Sequence, residues 1–303
     1  MNAKVILITV ILMVVTCGTL AADWPQYLGP DRNSTSSETG ILRSWPEGGP
    51  EVLWTVSVGK GFGGPVIKDG KVYLLDRDDE VGDTMRCFNL SDGEEIWKFG
   101  YEAKGSVMFP GSRSVPIVEG NFVYSCGHNG NLYCIDINTH KPLWNKNVWK
   151  DFGGGSLPTW AITQCPVIYG DLLIVGSQAP QAGVVAYDKL TGEVKWKSPS
   201  LGPVGYVSPE IVKIGENDQV VMITASEDRG GGSQGVFGLN PKNGEVLWNY
   251  PDFKCIIPVS SAFYVGEDRI LIIGGYNAGA VMLKIEPQED GSYKVNVLRL
   301  MNN

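Results

Sequence analysis

Few side chains of this sequence have the means to do chemistry, and those that do sit in short segments rich in Gly and Ser. Arg113 lies within Gly111-Ser112-Arg113-Ser114. Its planar donor fork suits a carboxylate or phosphate, and it equally suits loop carbonyls that it would stiffen. Phe62, Trp160, Gln164, Tyr206 and Ser208 lie in the comparable segments 61–64, 158–164 and 202–208. Aromatic faces and a few polar groups converging on a concave rim form a candidate ligand-binding site, although Trp160 and Tyr206 suit plain rim packing as well. His128, in Gly127-His128-Asn129-Gly130, can exchange a proton near neutral pH. No Ser/Asp/His spacing supports a triad, which favours an exposed turn histidine, so no catalytic residue is assigned. Asp76, Asp78, Asp79 and Glu80 offer oxygens of the kind Ca²⁺ takes, but they read better as a solvated loop, and no metal ligand is assigned. The Gly-rich segments 153–156 and 230–235 lack the strand-to-helix setting of a phosphate loop, which rejects nucleotide binding.

Such loops need a rigid frame, and the sequence repeats one. Residues 87–97, 134–144, 186–196 and 238–248 each read as a short apolar strand, a turn and a second strand that closes on Trp97, Trp144, Trp196 or Trp248. Trp54 ends a partial copy, and the Trp spacings are 43, 47, 52 and 52. Upstream of each turn lie two more β-branched runs, joined by hairpin signals such as Asp69-Gly70, Glu119-Gly120 and Gly170-Asp171. Each unit is four short strands in meander order. One such sheet cannot bury both faces, whereas sheets stacked around an axis can. Helical periodicity is absent after residue 22. The expected fold is therefore all-β: a β-propeller of four-stranded antiparallel blades.

Five blades are recognisable. The five Trp residues are expected to pack between neighbouring blades, with each indole N–H satisfied locally. Gly93, Gly192 and Gly244 fit the positive φ of the last turn of a blade, and His140 stands there in the second copy. Segment 51–59, around Trp54, reads as a fourth strand with no partners upstream. Residues 293–300 already supply a fourth strand for the last blade, so the blades are expected to be part of an incomplete seven- or eight-bladed ring. In this topology the loops leading into the innermost strands share one end with the turns between second and third strands. Phe62, Arg113, Trp160, Tyr206 and His128 thus belong to one face.

The chain has 303 residues and a formal net charge of −8, with 39 Gly and no Gly-X-Y period. Acidity without a basic patch excludes nucleic-acid binding, and the missing period excludes collagen. Residues 1–22 read as a secretory signal peptide: Lys4, then an apolar core over 5–15, then small-residue cleavage candidates at 19–22. Lipoprotein processing at Cys17 is the rival reading. No later stretch approaches the length of a membrane span. The chain thus divides into a signal peptide (1–22), an extended leader (23–50) and a propeller (51–303), in an exported protein of the periplasm or the extracellular space. Five Cys remain after cleavage. Cys126 and Cys134 flank the turn at 127–131 and can be either a disulfide across paired strands or, like the others, small buried apolar groups.

The pattern Ala-x-Asp-x-x-Thr-Gly-x-x-x-Trp, carried intact by residues 186–196, resembles the repeat of the PQQ-binding-like β-propeller family (PQQ is pyrroloquinoline quinone). That superfamily includes quinoprotein alcohol dehydrogenases and the propeller lipoprotein of the outer-membrane β-barrel assembly machinery. The opening DWPQYLGPDR at 23–32 is similar to the leader of secreted bacterial members. For a dehydrogenase the resemblance implies a vicinal Cys pair over the quinone, Ca²⁺ held by a Glu and an Asn, and an Asp base. This sequence has no Cys-Cys, and no Glu/Asn/Asp set falls at matching positions. The expected function is an exported, non-catalytic scaffold that binds an unknown protein, peptide or ligand of the cell envelope, with no cofactor. The alternative is a PQQ- and calcium-dependent oxidoreductase or a degenerate relative of one.

Overall fold

The computed structural model describes residues 22–226 and 234–301. Among them the chain forms five four-stranded sheets, each paired antiparallel in sequence order. Blade one is β1 (Val66–Lys68), β2 (Lys71–Asp78), β3 (Gly82–Asn89) and β4 (Glu95–Glu102). Blade two is β5 (Ile117–Glu119), β6 (Phe122–Cys126), β7 (Asn131–Asp136) and β8 (Lys141–Asn147). Blade three is β9 (Val167–Tyr169), β10 (Leu172–Ala179), β11 (Ala182–Asp188) and β12 (Val194–Lys197). Blade four is β13 (Glu210–Ile214), β14 (Asn217–Ile223), β15 (Val236–Leu239) and β16 (Val246–Tyr250). Blade five is β17 (Phe263–Gly266), β18 (Arg269–Gly274), β19 (Gly279–Pro287) and β20 (Tyr293–Met301). No helix among the described residues is long and apolar enough to cross a membrane.

Apolar cores lie between consecutive blades, because side chains alternate across each sheet. In blade two, Val123 and Ile135 face blade one and pack with Tyr73 and Met85. Their neighbours Tyr124 and Cys134 face the other way and pack with Leu173 and Val185 of blade three. Ile174 and Val184 then meet Val220 and Met222 of blade four, and Val221 and Ile223 meet Ile270 and Ile272 of blade five. Burial on both faces explains why the inner strands read as continuous apolar runs.

Indoles seat on a turn glycine of the following blade at three places, two of them between consecutive blades. Trp54 lies over Gly93, Trp144 over Gly192 and Trp196 over Gly244. A Cβ at Gly192 would come within 2.7 Å of the Trp144 ring, so only glycine leaves room for the indole at a turn where φ is +71°. Each indole N–H donates to a carbonyl of the same turn: Trp54 to Leu90 at 2.9 Å, Trp144 to Lys189 and Trp196 to Pro241 at 3.0 Å. Between blades one and two, His140 adopts the positive φ itself, at 58°, and stacks on Trp97 at 5.3 Å between centroids. Trp248 departs from the pattern and donates to Gln219 Oε1 of its own blade at 2.6 Å.

Several expectations need correction. Residues 51–59 form no strand; the first pairing of that region is a single bridge from Lys60 to Arg77. The acidic cluster is not a solvated loop, because Asp76 belongs to β2 and is buried. Asp76 accepts from Arg86 Nε at 2.6 Å and from the Gly59 N–H at 2.7 Å. Its neighbour Arg77 is fully buried and paired with Asp79 and Asp83. Cys126 lies opposite Leu132, and Cys134 opposite Tyr124. The two cysteines are thus not cross-strand partners, and all five described cysteines are buried and free. The signal-peptide and Cys17 readings lie outside the described residues, as does most of the Gly-rich segment 230–235.

The first part of the leader runs through the hub. Trp24 exchanges backbone hydrogen bonds with Ile67 of β1, and the Val118 N–H of β5 donates to the Pro25 carbonyl. Arg32 then reaches blades three and four. It donates to the Pro166 and Pro209 carbonyls and grips Glu210 through two bonds, Nε to Oε2 at 2.9 Å and Nη2 to Oε1 at 3.1 Å. Both side chains are at least nine-tenths buried. Removing one member of such a pair leaves the other charge uncompensated, at a cost of about 3–5 kcal/mol. Arg32→Ala should therefore lower the unfolding free energy in a denaturant titration by about that amount. Adding Glu210→Gln should recover part of the loss. A change below about 1 kcal/mol, the scale of a surface pair, would show that this pair does not hold the hub together.

Candidate functional site

The loops leading into blades one, two and three meet at one end of the hub, and part of the expected rim comes together there. Phe62, Phe109, Arg113 and Trp160 line one open cavity of about 220 Å³. Phe62 and Phe109 expose 64% and 59% of their surface, an unusual exposure for side chains of this size. The Arg113 guanidinium lies 5.5 Å from the Phe62 ring centroid, a cation–π contact. Arg113 donates Nη1–H to the Gly111 carbonyl at 2.6 Å and Nη2–H groups to the carbonyls of Met108 and Phe109. Of the two uses open to it, the structure shows the loop-stiffening one. Two of its five N–H groups, on Nε and Nη1, carry no partner among the described residues.

Tyr206 braces the aromatic wall. Its ring packs 4.9 Å from that of Trp160, and its hydroxyl accepts the Trp160 backbone N–H at 3.4 Å. The Trp160 indole Nε1 is buried without a partner among the described residues.

Gln164 and Ser208 do not line this cavity. Both are buried toward the hub, where Ser208 Oγ accepts the Cys165 N–H at 2.8 Å. Phe109 was not anticipated. The signal was present in Met108-Phe109-Pro110, an apolar cluster between strands just before the Arg113 loop.

His128 is buried, not exposed as the turn sequence implied. The loop into blade three folds over it, and the Ile162 N–H donates to its carbonyl at 3.1 Å. Its Nδ1–H donates to Asn129 Oδ1 at 2.8 Å, and Asn129 is tied to the Ala103 and Lys104 carbonyls. Nε2 has no partner. Burial, assisted by the Arg77 and Arg113 charges, pushes the imidazole below the ordinary histidine range.

A histidine with a depressed folded pKa favours the neutral form, so its contribution to stability is intact above the unfolded value, about 6.5. That contribution is lost as pH falls from there toward the folded value. Thermal melting of His128→Gln should therefore decline less than that of the natural chain between neutrality and about pH 5. Parallel pH profiles for the two proteins would contradict this account.

No group of three or more His, Cys, Asp or Glu that could hold a metal ion occurs among the described residues. The residues present do not match the quinone and calcium set that the repeat implies. Each described cysteine is unpaired, and the buried hub carboxylate of Glu210 is already gripped by Arg32.

The chain is 28% identical over 211 residues to the quinoprotein alcohol dehydrogenase PedH of Pseudomonas putida, a match covering 65% of this chain and 31% of that protein. It is 28% identical over 111 residues to the outer membrane protein assembly factor BamB of Salmonella typhimurium, covering 33% and 26% of the two chains. The matches thus span about a third or less of these curated relatives. The BamB structure from Moraxella catarrhalis superposes with a TM-score of 0.59 at 16% identity, covering 83% of this chain and 67% of that one, and shares the fold. The sequence model of the family described as outer membrane protein assembly factor BamB matches residues 81–292, and the chain belongs to that family.

Proposed function

We propose that this chain is an exported, non-catalytic binding module of the cell envelope, and that it seats an apolar or aromatic side chain of a protein or extended peptide in the rim cavity. The observation that carries this reading is the open aromatic cavity itself. Phe62, Phe109 and Trp160 converge with a half-buried Arg113 at the mouth of the hub. Holding Phe62 and Phe109 in water costs hydrophobic free energy that a ligand side chain would recover, at about 25 cal/mol per Å² of apolar surface covered. Tyr206 and the three carbonyls around Arg113 hold the walls in place before any ligand arrives, and such preorganisation lowers the entropic cost of binding. Membership of the BamB family supports partners drawn from envelope proteins.

Quinone-dependent oxidation is the second reading, favoured by the sequence similarity to a quinoprotein dehydrogenase. The unpaired cysteines and the engaged Glu210 weigh against it.

An array of peptides tiled from outer-membrane β-barrel strands is the direct test. Capture should concentrate on peptides bearing Phe, Tyr or Trp. It should weaken about tenfold, some 1.4 kcal/mol, in Phe62→Ala or Trp160→Ala, with melting temperatures unchanged. Absence of capture, or capture that neither substitution affects, would defeat the scaffold reading. Saturable binding of PQQ with Ca²⁺, seen as a thermal shift, would replace it with the oxidoreductase reading.

A further inference from the structure

The blade stack breaks its own rule at one junction, and a groove opens there. Trp54, Trp144 and Trp196 each lie on the turn glycine of the next blade and donate to a carbonyl of that turn. Trp248, the equivalent indole of blade four, does not. Opposite the four strand Trp residues across the sheet stand Cys87, Cys134, Ala186 and, for Trp248, Gly238. With no Cβ at Gly238, the indole folds onto its own sheet, and its N–H goes to the fully buried Gln219. The seat meant for it remains in blade five. Gly291 lies two residues before β20, as Gly93 lies two before β4, and has a similar positive φ of 83°. An added Cβ at Gly291 would meet nothing within 4 Å.

The vacated seat opens into a cavity of about 370 Å³, within the size range of small-molecule sites. It belongs to the turns at the opposite end of the strands from the rim. Tyr169 of blade three and Tyr293 of blade five contribute phenol rings, and Asn217, Asp218 and Asn240 of blade four contribute polar groups. These groups keep hydrogen-bonding capacity. Asp218 accepts from the Tyr169 hydroxyl through Oδ2 at 3.1 Å, which leaves Oδ1. Asn240 uses Oδ1 to accept the Lys242 N–H, which leaves its two N–H donors. Asn217 donates to the Tyr293 hydroxyl at 3.5 Å, which leaves Oδ1 as an acceptor. Glu216 and Asp218 outweigh the one cation, Lys242, so the lining does not suit an anion.

We propose that this groove is a binding site for a neutral saccharide. A sugar ring offers apolar C–H faces that pack on phenol rings, and hydroxyls that both donate and accept. Tyr169 and Tyr293 supply the first partners, and Asp218, Asn217 and Asn240 supply the second.

Titration calorimetry of the full chain with maltose, cellobiose, lactose and N,N′-diacetylchitobiose tests the assignment. At least one disaccharide should bind saturably, with a Kd of about 1 mM or tighter. Tyr293→Ala and Asp218→Asn should each weaken binding about tenfold or more, with melting curves that show the fold retained. Trp160→Ala should leave it unaltered, because the rim lies at the other end. No binding of any of the four sugars, or binding that is indifferent to both groove substitutions, would overturn the proposal.

Discussion

An indole seated on the last turn of the following sheet is the contact on which this architecture rests. A four-stranded meander of short strands has two apolar faces and too little area to stand alone. Each blade therefore depends on its neighbours, and the neighbours must be held at a fixed spacing. The large flat Trp ring provides the spacing, a residue able to adopt positive φ provides the seat, and the N–H bond to a turn carbonyl sets the orientation. Where His140 replaces glycine, stacking of the two rings takes over the same duty. The inner faces can then be filled with Val, Ile, Leu and small residues such as Cys and Ala, and the five described cysteines are better understood as packing atoms than as redox groups.

Radial stacking leaves a hub, and the leader runs along it against blades one to four. The leader joins β1 and β5 through its backbone, and blades three and four through Arg32. A carboxylate buried at the axis would be costly alone. Held by a two-pronged guanidinium bond, Glu210 instead ties a residue near the start of the chain to one 178 positions later. The hub carboxylate of this chain is thus engaged in structure.

The two ends of the blades offer surfaces for recognition, and they differ in chemistry. At the rim, exposed Phe62 and Phe109 face Trp160 and a guanidinium already fixed by carbonyls, a lining suited to apolar side chains. At the opposite end between blades four and five, tyrosines, amides and carboxylates line the space that Trp248 does not fill. The groove arises from a departure from the repeat, a glycine where blades one to three carry Cys or Ala.

Much of the fold was legible because its determinants are local and repeated. Asp-Gly and Glu-Gly hairpins, β-branched runs and the periodic Trp each report on a few neighbouring residues, and repetition across five units makes the pattern legible. The grouping of Phe62, Arg113 and Trp160 at one end followed from topology alone. Other features depended on partners that no local pattern reveals. His128 looked like an exposed turn residue until the loop into blade three covered it. The acids beside Arg77 looked solvated, yet Asp76 is buried against Arg86 and Asp79 pairs with the buried Arg77 guanidinium. Segment 51–59 had the composition of a strand but found no edge to pair with. The sequence by itself determined the blades and the residues that wedge them, because alternation and turn chemistry act over a few residues. Only the tertiary structure decided which polar groups became buried, which indole turned away from its seat and which loops met, because burial and charge pairing depend on the summed geometry of distant segments.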